Sequence, residues 1–398
     1  MPNWLLPEYI EDVLPNDAAH IEKMRRRIMD LFHVHGYQFV IPPLLEYVES
    51  LLSGSGSDMN LRMFKVVDQL SGRMMGLRAD MTPQVARIDA HLLNHQSGVT
   101  RLCYASSAVH ALPCEIARTR ELFQMGAELY GHAGIESDIE IQRLLLASLF
   151  ASGIPSIQLD FGHVNIFRSL IQDAKISPEL EWELYTALQA KDIVALQELV
   201  REKLDNHLNK VAADALLLLP ELYGDETVLA QARRYLPNYT EINLALDQLE
   251  TVANTLRSEV FSLTFDLSDL RGYHYHTGIV FAAYTPGYPN AIALGGRYDE
   301  IGKVFGRARQ ATGFSFDLKQ LASLVHSNDR PKAILAPWCP TDHALNEIIA
   351  RLRAEGTIVI VVLPGENEQN SICCDHKLVC RNNQWEVAEN SIIKESGR

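Results

Sequence analysis

The sequence predicts an α+β fold: a large domain built on a sheet flanked by helices, interrupted by a helical insertion and followed by a small C-terminal α/β unit. Three observations lead there. Short aromatic and β-branched segments occur through the first part of the chain and return after residue 260. The stretch between them is rich in Ala, Leu and Glu at helical spacing. The C-terminal segment reads as strand, helix, strand. With 398 residues, 47% hydrophobic and 22% charged, the chain is long enough for a large core plus smaller modules. The expected division is 1–328 for the core domain, with the insertion at about 177–257, and 329–398 for the last domain.

Taken in order, Pro15-Asn16-Asp17 supplies capping residues for a helix in which Ile21, Met24, Ile28, Leu31 and Phe32 recur on one side, ended by Gly36. The run Tyr37 to Pro43 favours a strand at a sheet edge or an interface, because it stops at two prolines that cannot donate to a ladder. Further strands are expected at Phe64–Val67, Arg101–Tyr104 and Glu121–Gly131. Ile157–Phe161 alternates apolar and polar residues, which predicts a half-buried strand. Ser177-Pro178 opens the insertion as an N-cap followed by proline at the first helical position, and a later helix there carries Ile242, Leu246, Leu249 and Leu256 on one side. Alternation resumes at Phe261, Leu263, Phe265 and Leu267. After the polar break Asn328–Pro331 come Ala333–Leu335, a helix over about Asp342–Ala354, and the strand Thr357–Leu363.

Charge narrows the function classes. Thirty-six Lys and Arg stand against fifty Asp and Glu, a net charge of -14, the wrong sign for a chain that mainly grips a phosphate backbone. The basic run Arg25-Arg26-Arg27 reads as a solvated helix face. No basic leader precedes an apolar core at the N-terminus, and no stretch reaches the roughly 18 apolar residues of a membrane span, so a cytoplasmic chain with no membrane partner is expected. Six sparse cysteines read as reduced thiols. The group Cys373-Cys374-Asp375-His376 with Cys380 lacks a matching second ligand pair, so neither a metal nor another cofactor is predicted.

Four polar clusters lie beside predicted strands: Leu77-Arg78-Ala79-Asp80-Met81-Thr82; Gln124 with Glu128; Asp269 to Gly278; and Gly295-Gly296-Arg297-Tyr298-Asp299. Gln124 and Glu128, an even number apart, project to one face of a strand and line one pocket. Carboxylates, a guanidinium, a hydroxyl and aromatic rings together suit a zwitterionic amino acid. The bland readings are structural ion pairs for Arg78 with Asp80 and for Arg297 with Asp299, and backbone turns for the glycines. Tyr273, His274, Tyr275 and His276 alternate, which puts the tyrosines on one side and the histidines on the other.

With these motifs in hand, residues 4 to 325 resemble class II aminoacyl-tRNA synthetases, most closely histidyl-tRNA synthetase. The resemblance implies a class II synthetase-like antiparallel sheet flanked by helices. Gly36 to Pro43 looks like motif 1, which implies self-association through that element. Arg271 to Gly278 and Gly295 to Asp299 resemble the two histidine-specific signatures. Carried over on the matching positions, Asp80 and Thr82 hold the ammonium group of histidine. Gln124 and Glu128 contact the ligand from the motif 2 strand, Arg271 lies near its carboxylate, and Tyr275 is the first signature tyrosine.

The ATP-handling motifs depart from the family. His110 and Leu112 stand where motif 2 has the phosphate-gripping arginine and a glutamate; Gln320 replaces the adenine-stacking arginine of motif 3, and Asp317 a small glycine. His276 replaces the second signature tyrosine, and the segment after Arg330 is short for an anticodon-binding domain. Arg-Gly-Tyr-His-Tyr-His-Thr-Gly resembles the version in regulatory subunits of the histidine pathway. That resemblance implies a non-catalytic chain, with no tRNA partner, that assembles with a short-form ATP phosphoribosyltransferase catalytic subunit and takes histidine as effector. The competing readings are an active histidyl-tRNA synthetase, a paralogue with a new amino-acid ligase activity, and a stress sensor carrying a kinase module. The first two need a grip on ATP phosphates that is absent here. The third needs a Gly-rich loop and strand lysine that are likewise missing.

Overall fold

The computed structural model describes residues 4–53, 57–113, 119–174, 176–203, 210–325, 333–366 and 374–390. The chain divides into two compact units, residues 1–326 and 327–398. In chain order the first begins with α1 (Pro15–Val34), β1 (Gln38–Phe39), β2 (Leu45–Tyr47), α2 (Val48–Leu52), α3 (Ser57–Arg62), β3 (Lys65–Val67), β4 (Met74–Leu77) and α4 (Thr82–Arg87). β5 (Thr100–Val109), β6 (Glu121–Tyr130), α5 (Ile135–Ala151), β7 (Gln158–His163) and α6 (Val164–Asp173) follow. The insertion supplies α7 (Pro178–Gln189), α8 (Ile193–Lys203), α9 (Lys210–Leu218), β8 (Tyr223–Gly224), α10 (Thr227–Tyr235) and α11 (Thr240–Leu256). β9 (Ser262–Asp266), β10 (Ile279–Thr285), β11 (Tyr288–Arg297), β12 (Ala311–Asp317) and α12 (Leu318–Leu324) complete the unit.

Nine strands form one sheet in the order β1-β5-β6-β12-β11-β10-β7-β9-β8. It is largely antiparallel, with β1 beside β5 and β7 beside β9 running parallel. β2, β4 and β3 make a small separate sheet. β1 sits at the sheet edge beside β5, as the following Pro42 and Pro43 predict, and Phe39 and Ile41 are exposed. α1 buries Met24, Ile28 and Phe32 against a core shared with α5, whose Ile141, Leu145 and Leu149 are fully buried.

Two expectations need correction. The insertion is not all helical: β8 pairs antiparallel with β9 and extends the main sheet. Its helices also share one continuous core with that sheet, through Leu184, Leu216, Leu246 and Leu249. β7 is buried on both faces rather than half-buried. It runs between β10 and β9, and its polar residues are satisfied internally: Asp160 accepts from Thr264 at 2.8 Å, and His163 lies 2.8 Å from Gln248. Alternation therefore marked polar contacts inside the protein, not a solvent face.

The second unit is a four-stranded sheet in the order β14-β13-β15-β16, formed by β13 (Ala333–Ala336), β14 (Ile358–Val361), β15 (His376–Arg381) and β16 (Gln384–Glu389), with α13 (His343–Ala354) between the first two strands. Asp342 caps α13 by accepting from the Leu345 N–H at 3.0 Å. Asn382 and Asn383, both at positive φ, turn the β15–β16 hairpin. Ile334, Leu345, Ile349, Val359 and Leu378 form its core. The expected boundary at 328 to 329, Asn328–Pro331, Cys114 and Cys373 lie outside the described residues. Among the described residues no cluster of His, Cys, Asp and Glu is arranged to hold a metal ion, and no helix is long and apolar enough to cross a membrane.

Candidate functional site

A cavity of about 550 Å³ opens on the face of the central strands β6, β12 and β11, walled by the start of α4, the turn before β10, and α7. Asp80, Thr82, Glu128, Arg271 and Tyr275 line it, as expected; Gln124 does not. Gln124 sits one layer behind, its amide NH2 donating to Asp80 at 2.8 Å and its carbonyl accepting from the Met81 N–H at 2.9 Å. It aims the Asp80 carboxylate, which also accepts from the Thr82 N–H at 3.0 Å.

Glu128 forms the floor. It is 1% exposed and accepts hydrogen bonds from the hydroxyls of Tyr104, at 3.0 Å, and Tyr298. Tyr104 in turn lies 3.1 Å from the Thr82 hydroxyl. Burial pushes the Glu128 carboxyl up to about 8, against the opposing pull of the two tyrosine hydroxyls. Room for this network comes from glycines in the neighbouring strands. A Cβ at Gly126 would strike the Tyr104 hydroxyl, and one at Gly313, paired with Glu128 across β6 and β12, would strike the Glu128 carboxylate. Gly313→Ala is therefore expected to displace Glu128 and lower stability by about 1–3 kcal/mol, as overpacking does, measured by urea unfolding. An unchanged midpoint would mean that the carboxylate moves freely.

The signature segment is a turn, not a strand, so the expected alternation of tyrosines and histidines fails. Gly272 at φ 60° and the bonds from the Tyr275 and His276 N–H groups to its carbonyl curl the chain. Tyr275 and His276 consequently both reach the cavity, in edge contact at 5.1 Å, while Tyr275 packs on Tyr298 at 4.9 Å. The Tyr275 hydroxyl is buried and has no hydrogen-bond partner among the described residues. Burial drives His276 down to about 4, a neutral imidazole at pH 7. Its Nδ1 is 3.1 Å from the Arg271 carbonyl, so that nitrogen carries the proton and Nε2 is left as an acceptor. Trp182 and Tyr185 of α7 close the mouth, Trp182 stacked on His274 at 5.4 Å.

The ion-pair readings divide. Arg78 does not pair with Asp80; it donates to the Pro42 and Ser107 carbonyls and the Ser106 hydroxyl, fixing the loop that carries Asp80. Arg297 does meet Asp299, at 3.4 Å, but its closer partner is buried Asp138 at 2.7 Å. Arg271 lines the cavity with its guanidinium engaged by Asp269 and Asp160. Asp317 accepts from the Phe123 and Lys319 N–H groups and caps α12. His110 is bound to the Ala79 carbonyl at 2.9 Å, Leu112 is 63% exposed, and the Gln320 amide reaches the Tyr288 hydroxyl at 2.9 Å.

Tyr104, Arg62, Trp182 and Asp160 were not singled out from the sequence as site residues, and Asp269 and Tyr298 entered only as members of the polar clusters. Gly126, a glycine inside a strand, is the signal for Tyr104, since such glycines mark close approach by another group.

The sheet, the signature turn and the cavity define a class II synthetase-like chain. A family model described as histidyl-tRNA synthetase matches residues 9–321, and one described as ATP phosphoribosyltransferase subunit HisZ C-terminal domain matches 331–388. The crystal structure of an ATP phosphoribosyltransferase regulatory subunit/histidyl-tRNA synthetase from Bacillus halodurans superposes with a TM-score of 0.80 at 26% identity, over 94% of this chain and 95% of that one. The ATP phosphoribosyltransferase regulatory subunits of Nitrosomonas europaea and Ralstonia nicotianae are 69% and 53% identical to it, each over 97% of this chain, and over 99% and 98% of their own lengths. The chain belongs to the family of ATP phosphoribosyltransferase regulatory subunits.

Proposed function

We propose that this chain regulates ATP phosphoribosyltransferase without chemistry of its own, assembling in the cytoplasm with a short-form catalytic subunit and reading L-histidine in the cavity on the central sheet. One observation supports this: Asp80, Thr82, Glu128 and Tyr275 meet in one cavity, while His110 and Gln320, which stand at ATP-handling positions of the resembled family, are bonded to neighbouring groups. Asp80 and Thr82 receive the ammonium group, and Glu128, with the unpartnered Tyr275 hydroxyl, faces the imidazole. His110 and Gln320 are tied to neighbouring carbonyl and hydroxyl groups, and Leu112 offers no charge. Each lost phosphate contact removes on the order of 3 kcal/mol of transition-state stabilisation, so adenylate formation is absent. Copies of the chain pair along β1, where Phe39 and Ile41 are exposed.

Histidine acts by binding the inhibited assembly more tightly than the active one, a coupling on the order of 1–3 kcal/mol. The test is phosphoribosyl-ATP formation by the short-form catalytic subunit, with and without this chain, across a histidine titration. Stimulation that histidine reverses is expected, with the reversal blunted by Asp80→Ala. No change in rate or histidine response would dispose of the proposal. Histidine-dependent exchange of pyrophosphate into ATP would restore the synthetase reading.

A further inference from the structure

Among the described residues the cavity offers two guanidinium groups, and their donors are spent very differently. Arg271 gives Nε and Nη2 to the Asp269 carboxylate at 2.8 and 2.5 Å. Its Nη2 also faces Asp160 at 3.4 Å, and Nη1 faces the Tyr284 hydroxyl at 3.3 Å. A guanidinium has five N–H donors. With Nε, both Nη2 hydrogens and one Nη1 hydrogen engaged, a single N–H remains, too few for a two-point grip on a carboxylate. The two carboxylates already on Arg271 would also repel a third.

Arg62 is the opposite case. It is the last residue of α3 and lines the cavity beside Met59. Its backbone carbonyl accepts from the Ala111 N–H at 2.7 Å, which anchors it next to His110. Its side chain has no hydrogen-bond or ion-pair partner among the described residues, and all five donors are uncommitted. Met63, the next residue, is bridged to His110, whose ring bonds the Ala79 carbonyl beside Asp80 at 2.9 Å, so Arg62 stands toward the Asp80 end of the cavity.

Resting on the reading that histidine occupies this cavity, we propose that Arg62, and not Arg271, takes the carboxylate of the amino-acid ligand. In an α-amino acid the ammonium and carboxylate share one carbon. A ligand whose ammonium sits on Asp80 and Thr82 therefore presents its carboxylate to that end of the cavity. Arg271 is a structural tie joining the signature turn to β7 and β10.

The test is calorimetric titration of the full chain, wild type, Arg62→Gln and Arg271→Gln, with L-histidine and with histidinol, which keeps the ammonium and imidazole but lacks the carboxylate. The wild type is expected to prefer histidine. Arg62→Gln should weaken histidine binding by roughly tenfold or more, the scale of a lost charge-assisted hydrogen bond, and leave histidinol binding unchanged. Arg271→Gln should lower the unfolding temperature and affect both ligands alike. If Arg271→Gln erases the preference for histidine while Arg62→Gln keeps it, or if the wild type shows no preference, the assignment is overturned. A wild type that binds neither ligand overturns the cavity reading itself, a result distinct from a misplaced carboxylate.

Discussion

Arg297→Ala is expected to destabilise the first unit by about 3–5 kcal/mol, the range for breaking a buried ion pair from one side. Arg297 is 6% exposed, and its guanidinium spends its donors on Asp138, the Ser137 hydroxyl at 2.8 Å, and the carbonyls of Gly134 and His132 at 3.1 and 3.3 Å. It therefore ties the end of β11 to the start of α5, behind the sheet face that carries Glu128. Burial already raises the Asp138 carboxyl against the pull of Arg297. Without that cation the folded chain holds a proton there which the unfolded chain releases at neutral pH. A raised acid costs stability above its unfolded value and ceases to do so below it, so the deficit of the variant should shrink as pH falls toward about 4. Adding Asp138→Asn should recover part of the loss at pH 7. Urea unfolding at pH 5 and 7 checks both points, and a deficit independent of pH with no recovery would show that Asp138 is not the group left stranded.

Much of this framework was legible in the sequence because it depends on local chemistry. Ser177-Pro178 starts α7 where expected, with the serine hydroxyl accepting from the Leu180 N–H. The periodic leucines of α11 are buried together, and the segment that runs to two prolines does hold an edge strand. What was not legible depends on partners far apart in the chain. Asp160 reads as the polar half of an alternating strand until Thr264 and Arg271, more than a hundred residues on, appear beside it. The committed state of Arg271 is invisible for the same reason. β8 has two residues and no period to detect, so the insertion read as purely helical. At the site, the paired spacing of Gln124 and Glu128 correctly put them on one face. Only Glu128 reaches the cavity, because Asp80 folds over Gln124 and takes its amide.

Histidine affinity is expected to peak between about pH 6.5, where free imidazole titrates, and about 8, where Glu128 does. Within that window Glu128 brings a proton and the imidazole brings none, so the complex keeps one proton shared between them and binding releases nothing. Below it both partners arrive protonated and one proton must leave. Above it neither carries one and a proton must be taken up. Each limb should weaken binding by roughly tenfold per pH unit. Glu128→Gln should lower the peak affinity by about tenfold or more, since a charged hydrogen-bond partner is lost. It should also shift the alkaline limb to the higher pH at which the α-ammonium group of histidine deprotonates. Calorimetry in two buffers of different ionisation heat counts the protons directly. Wild-type affinity that stays level from pH 7 to 9 would mean that Glu128 does not face the imidazole. The charge of the ligand ring would then have to be read by His276 and Tyr275 alone, neutral groups whose discrimination would carry no alkaline limb.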